Sequence, residues 1–518
     1  MPRSKQRRWS WRHRRKTVIV GQLAAILLFI LLLYHNHRDH PHVWTDGPPL
    51  PPEPSAASSS HPNPLLEEQA KFWRALYQII LNNDPQCDNN PESATPAKLD
   101  IPFDPSHKHP RPDVLWIEAA NVQRLREAHS NFVSDIRMGP PTLVYQPSTR
   151  GIVMTASLDM LPALVVSIRM LRRTRSTLPV EVYLATPSDD DVEICDHVLP
   201  ALNARCLLLS DVFQAAHSGV AIDKFQFKIM SILFSSFEEV LLLDADAFPL
   251  ADPTPLFEQD PFNTTGMILW PDFWYPSESP YYFEIAKINP VPSLDVRPAT
   301  ESGEVMFSKS KHAAAIMLAA YYNYYGPDYY YPLLSQGAPG QGDKETFGWA
   351  ATVMSEPFYA VHEPVMALGR FDSNGEYSGS AMAQHDPVAD VQNVRAGAPE
   401  HDIGFGAART GAPDPTSSRV RLFFIHANFP KFDPVTVFED RSPGARSPTR
   451  DSNGTAVRCW MDEEHLVNLF DFDVERRLWE EVLGTACDYE QQFSIWKGKT
   501  GICHRVQEYW NEVFEPRH

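Results

Sequence analysis

From Gly151 onward, the chain alternates between two apolar patterns, one typical of buried strands and one typical of helices. Short apolar, partly β-branched runs bounded by turn formers indicate strands, and longer segments with a helical period indicate helices. The predicted strands are 151–156, 179–186, 204–211 and 238–246, and the predicted helices are 160–176, 189–203 and 224–237. Strands that alternate with helices through short connections predict an α/β fold with a mostly parallel, Rossmann-type sheet and helices on both faces.

The strand predicted at 238–246 ends in two aspartates, Asp244 and Asp246, directly after the apolar run Val240–Leu243. Residues two apart on a strand point the same way, so both carboxylates share one face if the chain stays extended. Two close carboxylates repel each other, and a divalent cation with oxygen ligands is the usual compensation. Ligands of parallel sheets bind beyond the carboxyl ends of the strands, so a ligand site is expected here.

The N-terminal segment has a different pattern, which predicts a membrane anchor. Thr17–Tyr34 is an uncharged apolar run of 18 residues, and residues 1–16 hold eight Lys and Arg and no acid. A run of this length can span a bilayer, and the basic flank stays in the cytosol. We therefore expect a signal anchor and a single-pass type II membrane protein with a luminal body, with which the sequons at Asn263 and Asn453 agree. A cleaved signal peptide is the alternative.

Composition predicts the organisation of the rest of the chain. Residues 35–64 are rich in Pro and Ser and predict an extended stalk. Residues 65–144 contain two helical patterns separated by a Pro-rich loop and predict a helical stem region, and residues 145–518 predict the catalytic domain. Within that domain, 371–420 and 441–455 lack periodicity and predict mobile surface insertions.

Overall composition limits the class of protein. Hydrophobic residues make up 43% and aromatic residues 11% of the chain, which is typical of a globular core. The formal net charge of -19 argues against nucleic acid as a partner. Six cysteines without a C-x-x-C pair argue against a zinc site, and in an oxidising compartment they can form disulfides. The pairs that are close in sequence are Cys195 with Cys206 and Cys487 with Cys503.

A strand that ends in Asp-x-Asp has three interpretations. The carboxylates can be structural and cap the next turn. The first Asp can be the nucleophile of an aspartyl-phosphate phosphatase, but that class usually has Thr or Val four residues later, where this chain has Phe248. The pair can hold a cation that neutralises the diphosphate of a nucleotide sugar. The preceding strand–helix units and the predicted anchor favour the third interpretation.

Several blocks around this motif resemble the fungal Golgi α-mannosyltransferases. Among these blocks are EEVLLLDADAFPLADPTPLF, ILWPDFWYPSESPYYFEIA, ESGEVMFSK and GAPGQGDKETFGWAA. The resemblance covers residues 145–370 and resumes at RLFFIHANFPKF (421–432), and it is greatest for the α-1,2-mannosyltransferases that branch the outer chain of mannan. It implies a GT-A-like fold, a GDP-mannose donor, Mn²⁺, an α-mannoside acceptor on glycoprotein or cell-wall mannan, a Golgi membrane location, and retention of configuration. An α-1,3 linkage stays open.

Two positions depart from the pattern of that family. The family usually has a Gly-rich run ending in Lys where this chain has Thr155–Asp159, and it commonly has Asn where this chain has Ala247. A Gly-rich turn lets the backbone approach a ligand closely. These departures keep open an inactive luminal lectin, a subunit of a mannosyltransferase complex, or a transferase that uses another nucleotide sugar.

Four residues are candidates for binding the donor. Lys224 and Lys228 lie four apart and would share one face of the predicted helix, from which one could reach the donor phosphates. A solvated helix face is the alternative interpretation of these lysines. Trp270, in the run LWPDFW, could line the sugar pocket or belong to the core. Asp244 would contact the donor diphosphate through the metal.

Three acids are candidates for catalysis: Asp272, Asp343 and Glu345. The last two follow a Gly- and Pro-rich loop that resembles an active-site lid. An acid there could position the acceptor hydroxyl or stabilise developing positive charge. The alternative is a helix cap, with Glu345 in the first turn. No unique nucleophile is marked, so we expect front-face transfer, in which the leaving phosphate takes the acceptor proton.

His426 ends the apolar run RLFFIH. A lone histidine at such a place is often structural, but GT-A enzymes commonly take a third metal ligand from a late histidine. The resemblance therefore implies a metal site formed by Asp244, Asp246 and His426, with Asn428 as a weaker companion.

Overall fold

The computed structural model describes residues 63–87, 92–93, 101–340, 342–371, 375, 377–396, 420–440 and 447–515. These residues fall within one compact unit, Ser60–His518. The strands, numbered in chain order, are β1 Glu92–Ser93, β2 Leu115–Trp116, β3 Gln146–Ala156, β4 Val180–Leu184, β5 Ala204–Leu208, β6 Phe237–Asp244, β7 Ala247–Pro249, β8 Met267–Pro271, β9 Thr300–Ser308, β10 Tyr359–Ala360, β11 Met366–Phe371, β12 Tyr377–His385 and β13 Leu422–His426. The α-helices are Leu66–Asn82, Ala119–Met138, Leu161–Arg173, Leu199–Ala201, Leu209–Ala215, Gln226–Phe234, Phe262–Thr265, Pro280–Ala286, Ala313–Tyr324, Tyr331–Ser335, Lys344–Met354, Pro387–Arg395, Glu463–Phe470, Val474–Tyr489 and Ile502–Val513.

A seven-stranded mixed sheet has the strand order β10–β8–β9–β6–β3–β4–β5. Strands β6, β3, β4 and β5 are parallel neighbours, β10 is parallel to β8, and β9 is antiparallel to β6 and β8. Successive strand residues face opposite sides, so Ile152 and Met154 pack in one hydrophobic cluster and Val153 packs in another. The predicted α/β fold with a mostly parallel sheet is confirmed.

Helices cover both faces of this sheet. One apolar cluster includes helices Leu161–Arg173, Val474–Tyr489 and Ile502–Val513. The other includes helices Leu66–Asn82 and Ala119–Met138, which lie in the predicted stem region. The stem helices thus bury their apolar residues in the same cluster as one face of the sheet, while the domain boundary at residue 144 stays a prediction.

A second, four-stranded antiparallel sheet has the order β11–β12–β13–β7. Strand β6 of the main sheet ends at Asp244 and strand β7 of the second sheet begins at Ala247, so one short turn connects the two sheets. Strand β7 pairs with β13 in a register that places Ala247 opposite His426. The connection between the sheets therefore carries the Asp-x-Asp motif.

The segment 371–420 contributes regular structure that its composition does not suggest. It contains β12 and helix Pro387–Arg395, and residues 397–419 lie outside the described part. Strand β12 is rich in small residues, so it lacks an apolar alternation, and its pairing with both β11 and β13 holds it in the sheet. The second predicted insertion, 441–455, is described from residue 447 onward, and residues 447–455 include a turn.

The helix predicted at 224–237 begins only at Gln226 and ends at Phe234. The side-chain oxygen of Gln226 accepts a hydrogen bond from the Asp223 amide at 2.7 Å, which begins the helix there. Lys224 precedes this helix and has a positive φ of 40°. Lys224 and Lys228 therefore do not share a helix face, and the prediction that they do is wrong.

The structure corrects the predicted localisation. In the part of the chain that the structure describes, no helix combines the length and the apolar character that a membrane crossing requires. Thr17–Tyr34, which suggested a single-pass type II Golgi membrane protein, lies outside the described residues. The finding contradicts that prediction, and we withdraw it.

Two disulfides connect cysteines that are close in sequence. Cys195 is bonded to Cys206, and Cys487 is bonded to Cys503. The second bond joins the ends of two C-terminal helices, Val474–Tyr489 and Ile502–Val513. Both pairs that lie close in sequence are therefore bonded, a connectivity that the sequence left open.

Candidate active site

The turn between β6 and β7 brings the two aspartates to the edge of the main sheet. Asp244 is the last residue of β6, whereas Asp246 lies in the turn, so the pair is not extended as predicted. The side chains nevertheless converge with His426, because the pairing of β7 with β13 places His426 opposite Ala247. The amide of Ala427 donates to the carbonyl oxygen of Asp246 at 2.9 Å and fixes the turn.

Asp244, Asp246 and His426 present three ligand atoms that lie within 4.8 Å of one another. His426 Nε2 is 3.3 Å from Asp246 Oδ1 and 3.7 Å from Asp244 Oδ2. Asp246 Oδ1 is buried and accepts no hydrogen bond within the described part of the chain. A buried acceptor without a partner is costly, and two carboxylate oxygens with an imidazole nitrogen suit a divalent cation. These residues therefore fit a metal ion.

Asp246 and His426 of this candidate metal site are each surrounded by groups of opposite charge. Burial opposes the ionisation of Asp246, but His426 and Lys431 hold the pKa of Asp246 well below its ordinary range. The Lys431 ammonium directly contacts Asp246 Oδ2. Burial also opposes the charged form of His426, but Glu301 and Asp246 raise the pKa of His426 well above its ordinary value.

Lys228 lies on helix Gln226–Phe234 and reaches the first aspartate of the motif. Its ammonium donates to Asp244 Oδ2 at 2.9 Å and to the carbonyl and hydroxyl oxygens of Ser302 at 3.0 Å each. Burial opposes its charge, but Asp244 and Asp343 raise the pKa of Lys228 above its ordinary value. A fixed, charged ammonium at this place is suited to an anionic ligand.

A cavity of about 430 Å³ lies beside these residues. Its charged and ionisable lining residues are Lys228, Asp244, Asp272, Glu301, Asp343, Lys344 and His426. Its aromatic lining residues are Phe225, Phe273, Trp274 and Phe429. Because apolar rings and polar groups line one concave space, the cavity has the character of a binding site for a polar ligand with apolar faces.

Asp343 points a buried carboxylate into this cavity. It precedes helix Lys344–Met354 but does not cap it, since its side chain accepts no bond from that helix. Asp343 Oδ1 is 3.4 Å from Ser302 Oγ, and Oδ2 is 3.9 Å from Lys228 Nζ. Burial raises the pKa of Asp343 to about 6, against the attraction of Lys228.

Asp272 and Lys344 form an ion pair in the cavity wall. The Lys344 ammonium donates to Asp272 Oδ2 at 2.8 Å, and the Phe273 amide donates to Asp272 Oδ1 at 2.6 Å. Burial raises the pKa of Asp272, although Lys344 opposes the shift. Asp272 thus lies near the predicted site, but its carboxylate already accepts hydrogen bonds from Lys344 and from the Phe273 amide.

Three predicted site residues lie away from the cavity lining. Lys224 is exposed before its helix. The indole of Trp270 is fully buried in the core, where its Nε1 donates to the His385 carbonyl at 2.9 Å. Glu345 accepts the Thr300 amide at 2.6 Å, and Arg297 donates to its other oxygen at 3.1 Å.

The remaining predicted residues have simpler surroundings. Asn428 lines the cavity, and its amide contacts Met382 Sδ at 3.5 Å. Asn263 and Asn453, which begin the sequons, are exposed. Both sequons therefore have the surface position that glycosylation requires, while their modification stays a prediction.

Several residues in or beside the cavity were not singled out from the sequence. Glu301 and Ser302 in β9 and Lys344 at the start of its helix line the cavity. Glu304 in β9 and Lys431 lie beside the metal-ligand candidates, next to His426 and Asp246 respectively. Two acids close to the apolar run Val305–Phe307 are a signal that could have identified β9, because buried charges need a partner. Lys431, five residues after His426, had no comparable signal.

The two departures from the family pattern have different surroundings. Thr155 lies opposite Asp244 in the register of β3 and β6, at the strand ends where ligands of such sheets bind. Ala247 is fully buried in the core and pairs with His426. The side chain at 247 therefore does not line the cavity.

Comparisons with known proteins agree with the resemblance seen in the sequence. A family model described as a mannosyltransferase matches residues 149–299 and 291–386. The chain is similar to α-1,2-mannosyltransferase MNN21 of Candida albicans (30% identity over 76% of this chain and 66% of that protein) and to MNN2 of Saccharomyces cerevisiae (30% identity over 70% and 68%). Among solved structures, galactosyltransferase LgtC aligns with a TM-score of 0.28 and 13% identity, over 57% of this chain and 91% of that one.

Proposed function

Because the chain belongs to the family of fungal α-1,2-mannosyltransferases, we propose that it transfers mannose from GDP-mannose to α-mannoside acceptors with retention of configuration. The observation that carries this proposal is the convergence of Asp244, Asp246 and His426 beside a cavity lined by Lys228. The mixed α/β sheet, which carries the motif at the carboxyl end of β6, supports a GT-A-like assignment.

Mn²⁺ is the cofactor of the proposed reaction. Asp244, Asp246 and His426 would hold it, and the unpartnered oxygen of Asp246 supports this assignment. When bound, the ion neutralises charge on the diphosphate and so supports its departure. The donor set of two carboxylates and one imidazole suits Mn²⁺.

Side chains of the cavity provide the remaining functions. Lys228 is placed to attract the donor phosphates, because its ammonium is fixed beside Asp244. Asp343 is placed to position mannose or acceptor and to stabilise positive charge on the sugar ring. In front-face transfer the bond from the anomeric carbon to the phosphate oxygen breaks, the bond to the acceptor oxygen forms, and the acceptor proton passes to the phosphate. No protein nucleophile is needed.

The test is an assay of the full-length protein with GDP-mannose, MnCl₂ and α-mannosides. We expect GDP release, a mannosylated product by mass spectrometry, and an α-1,2 linkage by NMR. Asp246→Asn keeps the size of the side chain but lowers its charge, so we expect Mn²⁺-dependent GDP binding to weaken by at least about 100-fold. Asp113→Asn, which changes an exposed acid outside the cavity lining, is the matched control.

Two outcomes would contradict the proposal. Unchanged Mn²⁺-dependent GDP binding by Asp246→Asn would remove the metal role of this motif. Mannoside binding without any GDP release by the wild type would favour a lectin-like protein instead. Association with other mannosyltransferases stays a prediction, which co-purification from cells would test.

A further inference from the structure

The imidazole of His426 has acids on both of its nitrogens. Its Nε2 faces the motif, at 3.3 Å from Asp246 Oδ1 and 3.7 Å from Asp244 Oδ2. Its Nδ1 contacts the carboxylate oxygen Oε1 of Glu301 on β9. A neutral imidazole carries its proton on one nitrogen only, so the group at Nδ1 decides whether Nε2 offers a lone pair.

The surroundings of Glu301 fix its carboxylate against the histidine. Its second oxygen, Oε2, accepts a hydrogen bond from the amide of Gly303. Gly303 also makes room for the ring, because a Cβ at this position would lie 2.4 Å from His426 Nδ1 and 2.6 Å from Glu301 Oε1. Glu301 is 6% exposed and His426 is 8% exposed, so water has little access to the contact.

The segment Glu301–Gly303 also orients the other side of the cavity. Ser302 accepts two hydrogen bonds from Lys228 through its carbonyl and hydroxyl oxygens, each at 3.0 Å. Its hydroxyl lies 3.4 Å from Asp343 Oδ1. Two consecutive residues of one strand, Glu301 and Ser302, therefore contact the histidine, the lysine and the acid of the proposed mechanism.

We infer that Glu301 is a positioning residue, which accepts the Nδ1 proton of His426 and thereby directs the Nε2 lone pair to the cation between Asp244 and Asp246. The inference rests on the proposed metal role of the motif. A carboxylate behind a metal-bound histidine fixes both the tautomer and the ring orientation, and its loss typically lowers metal affinity by 10–100-fold. Glu301 itself then needs no direct contact with the metal.

Glu304 belongs to a second group of residues that could hold the cation in place of Asp244 and Asp246. Glu301, Glu304 and His426 also present ligand atoms within 4.8 Å of one another. Both carboxyl oxygens of Glu304 are buried and have no hydrogen-bond partner within the described residues. A cation held there would take the Nδ1 lone pair of His426, so the two arrangements require opposite tautomers and give different predictions for Glu304.

The experiment measures binding of Mn²⁺ alone to the full-length protein, by the loss of the free-ion signal in electron paramagnetic resonance. Glu301→Leu removes the acceptor, and we expect Mn²⁺ affinity to fall by about 10–100-fold. Glu301→Gln keeps an acceptor oxygen, so its loss is expected to be smaller, about tenfold or less. Glu304→Gln and the exposed control Glu284→Gln should bind Mn²⁺ as the wild type does.

A second measurement reports the tautomer directly. In ¹⁵N spectra of the protein with Zn²⁺ as a diamagnetic substitute, the His426 signal is the one absent from His426→Gln. We expect a zinc-bound Nε2 and a protonated Nδ1 in the wild type, and a smaller zinc-bound fraction at the same Zn²⁺ concentration in Glu301→Leu. Thermal unfolding of each variant checks that the fold is retained.

The possible results separate this inference from the proposed function. If Glu301→Gln and Glu304→Gln lowered Mn²⁺ affinity equally, or if His426 were protonated at Nε2, the cation would lie between Glu301, Glu304 and His426. Either result would overturn the inference. Wild-type affinity in Glu301→Leu would also overturn it. Because neither readout uses donor or acceptor, a protein without transferase activity could still confirm the role of Glu301, and the activity assay alone would then reject the proposed function.

Discussion

At the scale of single residues, Asp343 is the acid whose position is best explained by function. It stands at the start of a helix without capping it, and one of its buried oxygens, Oδ2, has no hydrogen-bond partner within the described residues. A structural role would have used that oxygen, because an unpartnered buried acceptor costs free energy. Proximity to Lys228 and Ser302 instead aims the carboxylate at the cavity.

We therefore predict that Asp343→Asn lowers turnover by about 10²–10³-fold, the usual cost of losing one charge that stabilises a transition state. GDP affinity should change little, because Asp343 does not contribute to the proposed metal site. Steady-state kinetics and GDP titration measure the two effects, with Asp113→Asn as control. Wild-type turnover would remove Asp343 from the mechanism, and a trapped mannosyl–enzyme adduct would overturn front-face transfer.

At the scale of elements, Lys309 connects the end of β9 to neighbouring segments. Its side chain is fully buried, in contrast to most lysines. Its ammonium donates three hydrogen bonds to backbone carbonyl oxygens, those of Val144, Leu233 and Ser235. The lysine thus satisfies carbonyls near the end of helix Gln226–Phe234 and the start of β3, where regular hydrogen bonding stops.

We predict that Lys309→Met lowers the free energy of unfolding by about 3 kcal/mol, because the methionine fills the space but leaves these carbonyls without a donor. Denaturant unfolding measures the difference. Lys311→Met, which changes an exposed lysine that donates to one carbonyl, should have little effect. Equal stability of the two variants would show that Lys309 contributes no more than a surface lysine.

At the scale of the whole molecule, a buried acid makes stability depend on pH. Glu475 is fully buried in helix Val474–Tyr489 and accepts the amides of Cys459 and Trp460 at 2.6 and 3.1 Å. Burial raises its pKa from 4.5 to about 7, although Arg458 opposes the shift. The folded chain keeps this proton up to about pH 7, whereas the unfolded chain loses it near pH 4.5.

Between those pH values the folded state binds more protons, so raising the pH favours the unfolded state. The contribution of Glu475 to the free energy of unfolding is fully present below about pH 4.5 and is lost as the pH rises through about 7. We predict that the free energy of unfolding of the wild type, relative to Glu475→Gln, falls by up to about 3 kcal/mol over this range. Denaturant titrations at several pH values measure it, with exposed Glu512→Gln as control. A constant difference would contradict the prediction.

The sequence alone determined the features that depend on local pattern. Strand–helix alternation predicted the main sheet, because the periods of apolar residues report burial within each element. The family followed from consecutive blocks of residues, and the mannosyltransferase family is confirmed. Short separations along the chain favoured the two disulfides, but their connectivity was decided by the structure.

Only the tertiary structure decided which side chains meet. The pairing of β7 with β13 brings His426 to Asp246, and the position of β9 beside β6 brings Glu301 to His426. The sequence left open whether Trp270 lines the sugar pocket or belongs to the core, and the structure places it in the core. Alternation along a strand defines two faces but does not say which one a second sheet will cover. The members of the candidate site lie far apart in sequence, and long-range pairing, which leaves no local periodicity, sets their distances.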